Sequence, residues 1–253
     1  MILILCHLHD SEAAWVAQRL HHLAPGTPVL LVSAEELLYA RQIQHTLGRE
    51  PTGFVLTLQN GQRIAAGEVT AVVNRLCFLD PTLWQQKDTK QYHYVLQEVN
   101  ALYLSMLHSL PPECLYNRPS AVALGGRHLS PAEWQLLGAR VGLPVDTASW
   151  PPETAMPAAP PDARLLVLDE EILGQMPPGI VPESCFQLAH HSGLRLLELH
   201  FERQVAGYRF VGATIFAALH QYGDALAHHF LRLATDGHDL GNTQRDARAA
   251  LAR

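Results

Sequence analysis

Residues 1–33, MILILCHLHDSEAAWVAQRLHHLAPGTPVLLVS, carry the pattern that decides the fold class. The apolar run MILIL suits a buried strand, and Asp10 or Ser11 can cap a helix over residues 12–23. The stretch PVLLVSA then predicts a second strand. A strand, a helix and a strand at this spacing form a βαβ unit, which predicts a parallel sheet and an α/β fold.

A hairpin, a buried strand and a long helix are expected next. TGFVLTL and QRIA flank Asn60 and Gly61, a pair that predicts a hairpin with a type I′ turn. VTAVVNRLCF at 69–78 predicts a buried strand. A helix is expected over about 80–110, because its apolar residues recur at helical spacing. CLYN at 114–117 then predicts a short strand.

The carboxyl-terminal half predicts a smaller α+β arrangement. Ser130 and Glu133 form a capping-box pattern, which marks the start of a helix. The stretch TASWPPETAMPAAPP is rich in Pro and Ala and predicts a linker. ARLLVLD-EE-ILGQM predicts two strands joined by a tight turn, and LELHF and YRFV predict a hairpin turned at 204–207. Helices are expected over 182–191 and from 215 or 216 to 234.

Bulk composition narrows the class of protein. The 253 residues are 48% hydrophobic, and a formal net charge of −6 gives no electrostatic reason to expect nucleic acid or an anionic membrane as partner. The sequence contains no stretch of about 20 apolar residues, so it predicts no transmembrane helix. His7 and Asp10 interrupt the apolar run of the opening residues too early for a signal peptide. The four cysteines are far apart, so we expect a cytoplasmic chain with reduced thiols.

Several polar residues are placed where binding sites are common. His7, His9 and Asp10 follow the first strand, where parallel sheets carry their ligand loops, although a loop that only caps the first helix has the same pattern. Asn117 and Arg118 could shape a crevice between domains, and Asn is also ordinary turn chemistry before a proline-containing loop.

A pair of residues on the penultimate predicted strand offers a metal-binding alternative. Glu198 and His200 lie two residues apart on a strand, so both side chains point to one face. His and carboxylate ligands suit Zn or Fe. The chain has 15 His, however, so chance pairs are expected, and no metal site is the main prediction.

The order of elements and several local strings resemble the ATP-grasp superfamily, in particular the peptide-modifying ligases of the microviridin type and their glutathione-synthetase-like relatives. The resemblance covers most of the chain. The strings that carry it are MILILCHLHDSEAAWVAQRL at 1–20, AVVNRLCFLDP at 71–81, CLYNRPSA at 114–121, VGLPVDTAS at 141–149, ARLLVLDEEILG at 163–174, SGLRLLELHF at 192–201 and AGYRFVGA at 206–213.

The resemblance implies an amino-terminal parallel-sheet domain of the pre-ATP-grasp type, followed by a small α+β remnant of the ATP-grasp domain. The corresponding ranges are 1–117 for the first domain, 118–145 for a connecting helix region, 146–162 for a linker in place of the central lobe, 163–236 for the α+β part and 237–253 for a polar tail.

Several positions depart from what the resemblance implies. ATP-grasp ligases use lysines of the central lobe for the phosphates, but the only lysines here are Lys87 and Lys90, and Arg127 stands near the first family position. Arg75 resembles an arginine that can face the substrate cleft in the family, although a structural ion pair is the alternative.

The metal-ligand positions depart in the same way. The family's aspartate aligns with His200, and its glutamate and asparagine align with Gly212 and Thr214. Magnesium prefers carboxylate oxygens, so His, Gly and Thr make a poor site for it. Position by position, the resemblance predicts a scaffold whose catalytic positions are vestigial.

Three functional hypotheses follow. The first is a non-catalytic ATP-grasp-like accessory protein without a cofactor, which binds a peptide, protein or enzyme partner in a peptide-modification or natural-product pathway; homo-oligomerisation stays open. The second is an active carboxylate–amine ligase that uses ATP and Mg²⁺, with Arg127 in place of lysine and with Glu198 and His200 holding the metal. The third is a transition-metal protein that uses His200 and its neighbours.

Overall fold

A computed structural model of the chain describes residues 1–48, 53–80, 89–145 and 160–235. They form two compact units. The first unit comprises Met1–Gly126 together with the described residues after Tyr222, and the second unit comprises Arg127–Tyr222. Most of the predicted linker and the whole polar tail lie outside the described residues. The predicted domain ranges therefore stay predictions.

The first unit contains two sheets and four α-helices among its described residues. In chain order these are β1 (Ile2–Cys6), α1 (Ser11–Leu23), β2 (Val29–Ser33), α2 (Ala34–Leu38), β3 (Gln42–Thr46), β4 (Gly53–Thr57), β5 (Arg63–Ala65), β6 (Ala71–Asn74), α3 (Thr89–His108) and α6 (223–235).

The predicted βαβ unit is confirmed. The first sheet has the order β2-β1-β6, and both pairings are parallel. All five residues of β1 are buried, as expected for the central strand of a covered parallel sheet. Helix α1 begins after Asp10, whose carboxylate oxygen Oδ1 accepts hydrogen bonds from the amides of Glu12 and Ala13 at 3.0 and 3.1 Å.

The second sheet of this unit, β3-β4-β5, is antiparallel, and it corrects two details of the sequence reading. The sequence predicted neither strand β3 nor the short helix α2. Ile43 is the only aliphatic residue of QIQHT, so β3 has no apolar run. The hairpin between β4 and β5 is not type I′. That turn needs a positive φ at both central residues, whereas Gly61 has φ 86° and Asn60 has a negative φ. The loop instead holds three residues, with glycine in the left-handed position.

The predicted strand at 114–117 is wrong. Pro112–Cys114 form a 3₁₀ turn, and Leu115 makes a single parallel bridge to Val72 of β6. Pro119 follows closely and has no N–H to continue a ladder. The segment therefore adds one bridge to the edge of the sheet and not a strand.

The second unit is a four-stranded antiparallel sheet covered by two helices on one face. Its elements are α4 (Pro131–Arg140), β7 (Ala163–Leu168), β8 (Glu171–Leu173), α5 (Pro182–Ser192), β9 (Leu196–Gln204) and β10 (Gly207–Thr214), and the sheet order is β10-β9-β7-β8. The capping box of Ser130 and Glu133 at the start of α4 and the turn between β9 and β10 are both as predicted.

Alternation along β9 separates a core face from a polar face. Leu197, Leu199 and Phe201 are fully buried in the core, where the ring of Phe201 meets that of Phe210 edge-on at 5.8 Å. Glu198 and His200 point to the opposite face. A bulge between Phe210 and Gly212 shifts the register of β10 and leaves Gly212 opposite His200.

The last predicted helix begins later than expected. Residues Leu219–Tyr222 form a 3₁₀ turn, and the α-helix covers 223–235. Two side-chain acceptors explain the delay. The amide of Phe216 donates to Thr214 Oγ1 at 3.1 Å, and the amide of Ala218 donates to Glu198 at 2.9 Å. These amides are bonded to side chains and not to a helical ladder.

No helix within the described ranges 1–48, 53–80, 89–145 and 160–235 is long and apolar enough to cross a membrane.

Candidate functional sites

The first candidate site lies at the carboxyl edge of the parallel sheet in the first unit. The loop His7–Asp10 follows β1, and Arg75 follows β6, the neighbouring strand. Carboxyl ends of parallel strands meet at one edge of a sheet, so the βαβ pattern brings these residues together. Asp10 Oδ2 lies 2.7 Å from Arg75 Nε, and both side chains are largely buried.

The Asp10 carboxylate is fully engaged. One oxygen accepts the two amides that begin α1, and the other accepts the guanidinium of Arg75. Both of the plainer expectations for these residues are therefore realised, a helix cap at Asp10 and an ion pair at Arg75. Neither oxygen is left as the main acceptor for a ligand.

The two histidines of the loop are exposed. His9 has φ 66°, a left-handed conformation that costs a residue with a Cβ about 1 kcal/mol. The Cys77 amide donates to His7 Nε2 at 3.4 Å, and the His7 ring meets Phe78 edge-on at 6.2 Å. The loop is thus held in a strained, specific shape beside an exposed aromatic side chain.

An open cleft of about 650 Å³ lies beside this loop. Its walls come from the end of β1, the following loop, the start of α1, strand β2 and the start of α2. The side chains that line it include those of Cys6, Leu8, Ala14, Leu31, Glu35 and Glu36. Burial and the negative charges of Asp10, Glu35 and Glu36, opposed by Arg75, raise the pKa of the Cys6 thiol to about 11. Three carboxylates, those of Asp10, Glu35 and Glu36, thus line the cleft.

The remaining predicted residues are not drawn into one cluster. Asn117 is buried just beyond the bridge of Leu115 to β6, and Arg118 Nη1 lies 3.4 Å from His108 Nδ1. Arg127 is exposed at the start of the second unit, before α4. Their binding roles stay predictions.

The second candidate site surrounds Glu198 on the polar face of the four-stranded sheet. The side chain is 1% exposed. Its Oε1 lies 2.6 Å from His200 Nε2 and 3.6 Å from a guanidinium nitrogen of Arg164. Its Oε2 accepts hydrogen bonds of 2.9 Å from both the Ala218 amide and the Tyr222 hydroxyl. A carboxylate can only accept, so Nε2 of His200 carries the proton.

These contacts keep Glu198 ionised. Burial pushes the pKa of the carboxyl up, but the hydrogen bonds from His200, the Ala218 amide and Tyr222 outweigh it, and the net pKa lies below the ordinary value of 4.5. Burial, together with the same pairing, raises the pKa of Tyr222. The cluster is a buried anion neutralised by donors of the protein itself.

This arrangement does not fit a magnesium ion. All four contacts to Glu198 come from donors or a cation, which occupy the directions that metal coordination needs. The neighbouring strand presents Gly212 opposite His200 and Thr214 opposite Glu198, so it adds no carboxylate. In the part of the chain that the structure describes, no group of three or more His, Cys, Asp or Glu side chains could hold a metal ion.

The sequence reading found Glu198 and His200 but missed two of their partners. Arg164 lies opposite His200 in the β7–β9 register, a placement that follows once strand pairing is known. Tyr222 is 24 residues away in sequence, and no pattern pointed to it. Glu35 and Glu36 of the cleft were also missed, because α2 was not predicted.

No protein-family model matches the sequence, and no curated protein matches it. Solved structures do match. The ATP-grasp ligase PsnB, complexed with a phosphomimetic variant of its minimal precursor, Mg and ADP, matches with a TM-score of 0.68 at 15% identity over 92% of this chain and 97% of that chain. The macrocyclase MdnC of Microcystis aeruginosa MRC, bound with precursor peptide MdnA, matches at 0.64 and 13% identity over 92% and 99%.

A third structure agrees. The RiPP-associated ATP-grasp ligase of Chryseobacterium gregarium, in complex with ADP and a leader and core peptide, matches with a TM-score of 0.62 at 11% identity over 96% of each chain. Identities this low establish the fold alone. The predicted α/β class and the predicted resemblance are both confirmed: the chain has the fold of the peptide-modifying ATP-grasp ligases.

Proposed function

We propose that this protein is a non-catalytic member of a peptide-modification pathway, which uses the ATP-grasp scaffold to bind a peptide or a protein that carries one. The observation that supports the proposal is the closed shell around Glu198. The resemblance places the family's metal ligands here, and this chain instead surrounds its one carboxylate with an imidazole, a guanidinium, an amide and a hydroxyl.

The physical argument concerns the phosphoryl group. An ATP-dependent ligase must neutralise the charge of a transferring phosphate, and Mg²⁺ with lysine or arginine side chains supplies this neutralisation. A carboxylate that already accepts four contacts would have to lose several of them before it could bind a metal. Each loss leaves a buried donor or cation unpaired, which costs about 1–3 kcal/mol.

The peptide half of the proposal is supported by the structural neighbours, since MdnC and the Chryseobacterium ligase are each solved with a peptide. The shared fold gives this chain the same elements from which to build a peptide-binding surface. The cytoplasmic placement expected from the sequence belongs to the proposal as well.

Calorimetry with ATP and Mg²⁺ tests the non-catalytic half. We expect neither micromolar binding nor ADP release, with or without a candidate precursor peptide. The matched variant is Glu198→Gln. If the chain were an active ligase with a metal on Glu198 and His200, the wild type would form ADP and this variant would not. ADP formation by the wild type would overturn the proposal.

A further inference from the structure

The imidazole of His45 in the first unit lies between a backbone carbonyl and a serine hydroxyl. His45 belongs to β3, and its Nδ1 lies 3.0 Å from the carbonyl oxygen of Gly53 at the start of β4. Its Nε2 lies 2.9 Å from Oγ of Ser105 on helix α3. The fold thus joins a histidine and a serine that are 60 residues apart in the sequence.

The two contacts fix which ring nitrogen of His45 carries the proton. A carbonyl oxygen can only accept a hydrogen bond, so Nδ1 donates to Gly53. Nε2 of the neutral ring then has a lone pair, and the Ser105 hydroxyl donates to it. A hydroxyl that is bonded to a basic nitrogen, with the base oriented by a third group, is the arrangement that activates a serine as a nucleophile.

Both members of this pair are at the surface of the unit. His45 and Ser105 are each half-buried. The backbone of an α-helix is enclosed by the surrounding side chains, so the exposed part of a serine in a helix is mostly its short side chain. A small reagent in solution can therefore approach the Ser105 hydroxyl.

Ser109 provides a comparison within the same segment. It lies one helical turn later, just beyond the end of α3, and is half-buried as well. Its hydroxyl donates to the carbonyl oxygen of Met106 at 2.6 Å. A carbonyl oxygen is too weak a base to take the proton of an attacking hydroxyl, whereas a neutral imidazole can take it. The two serines therefore share their exposure and differ in the base beside them.

We propose that His45 activates Ser105 as a nucleophile, and that Ser105 takes the acyl group of a small activated ester. Oγ forms a bond to the ester carbonyl carbon while the hydroxyl proton passes to Nε2 of His45. The bond from that carbon to the leaving oxygen then breaks, and the proton passes on to the leaving group. The products are Ser105 with an acyl ester and a free alcohol. The reaction uses no ATP and no residue of the Glu198 cluster, so it goes beyond the proposed function.

Acetylation of the intact protein by p-nitrophenyl acetate tests the inference. Samples are quenched in acid at increasing times and digested, and peptide mass spectrometry measures the acetyl ester at each serine. We expect Ser105 to be acetylated about 100-fold faster than Ser109, as a positioned general base implies. Because both serines belong to the same molecule, the comparison needs no variant and is independent of the protein concentration.

Two variants identify the base. His45→Gln keeps a side chain that can hydrogen-bond to the serine but supplies no basic nitrogen. It should reduce the acetylation rate of Ser105 to that of Ser109. His93→Gln is the matched control, since His93 is exposed on the same helix, α3. It should leave the rate at Ser105 unchanged.

Equal acetylation of Ser105 and Ser109 in the wild type, or no acetylation of Ser105, would overturn the inference without reliance on any variant. So would a rate at Ser105 that His45→Gln leaves intact. The outcome is separable from that of the proposed function. ADP formation contradicts only the non-catalytic proposal, whereas an unreactive Ser105 contradicts only the activation by His45.

Discussion

Glu198 of the second unit and Glu35 of the first unit are two carboxylates with opposite surroundings. Glu198 has both oxygens engaged by donors from four residues, and its side chain is 1% exposed. Glu35 lies at the wall of an open cleft, and one of its oxygens is buried without a donor.

The two carboxylates differ in what they contribute to the stability of the fold. A buried charge that the protein itself saturates holds strands and turns together but offers nothing to a ligand. A buried acceptor that no donor of the protein meets costs stability instead of adding to it. The resemblance implies metal ligands at His200, Gly212 and Thr214, and the saturated carboxylate of Glu198 lies beside these positions, opposite Thr214.

The largest expected effect comes from removal of the closed carboxylate. Glu198→Ala leaves the Tyr222 hydroxyl, the Ala218 amide and the Arg164 charge without their acceptor. We expect the free energy of unfolding to fall by about 4 kcal/mol, as measured by urea denaturation followed by circular dichroism.

The matched control is Glu170→Ala, since Glu170 is exposed in the same unit. It should change the stability by less than about 0.5 kcal/mol. A loss below about 1 kcal/mol for Glu198→Ala would show that the contacts around Glu198 are not structural, and the contrast with Glu35 would then break down.

A smaller effect is expected at Asp10, which combines a helix cap with an ion pair. Asp10→Asn keeps a good cap but leaves Arg75 without its carboxylate, and we expect a loss of about 2 kcal/mol. Asp10→Ala should lose about 1 kcal/mol more, because the cap is removed as well. Urea denaturation of the two variants and the wild type separates the contributions. If both variants are equally stable, Asp10 does not act as a cap.

Acid should weaken the closed cluster. The pKa of folded Glu198 lies below 4.5, so its ionised form stabilises the fold above the unfolded pKa, and this stabilisation is lost as the pH falls through the folded pKa. We expect the gap in stability between the wild type and Glu198→Gln to be constant above about pH 5 and to shrink below about pH 4.5, by at most about 1.4 kcal/mol per pH unit. A gap that is independent of pH would mean that Glu198 is not ionised.

The sequence predicted the elements whose pattern is local and regular. The βαβ unit follows from apolar runs and a cap at Asp10, and the hairpin of β9 and β10 follows from strict alternation around Phe201. Strand β3 was not predicted, because a half-buried edge strand such as QIQHT needs little apolar surface. The type of the turn at Gly61 depends on the φ of its neighbour, which sequence does not fix.

The site was harder to predict than the fold, because its contacts join residues far apart in the chain. The spacing of Glu198 and His200 placed them on one face, but spacing alone could not distinguish a metal ligand from a buried ion pair. The partners Arg164 and Tyr222 decide that question. Strand register places Arg164 opposite His200, and the 3₁₀ turn after β10 contains Tyr222. At Asp10 and Arg75 the sequence named both residues and both of the roles that the structure combines.

The smallest expected effect on stability is at Glu35. Glu35→Gln removes a negative charge whose buried oxygen has no donor, so little stabilising interaction is lost with it. We expect the free energy of unfolding to change by less than about 0.5 kcal/mol in urea denaturation. A carboxylate that holds strands together by accepting buried donors cannot give this result. A loss of stability above about 1.5 kcal/mol would place Glu35 in the same class as Glu198 and remove the distinction between the two carboxylates.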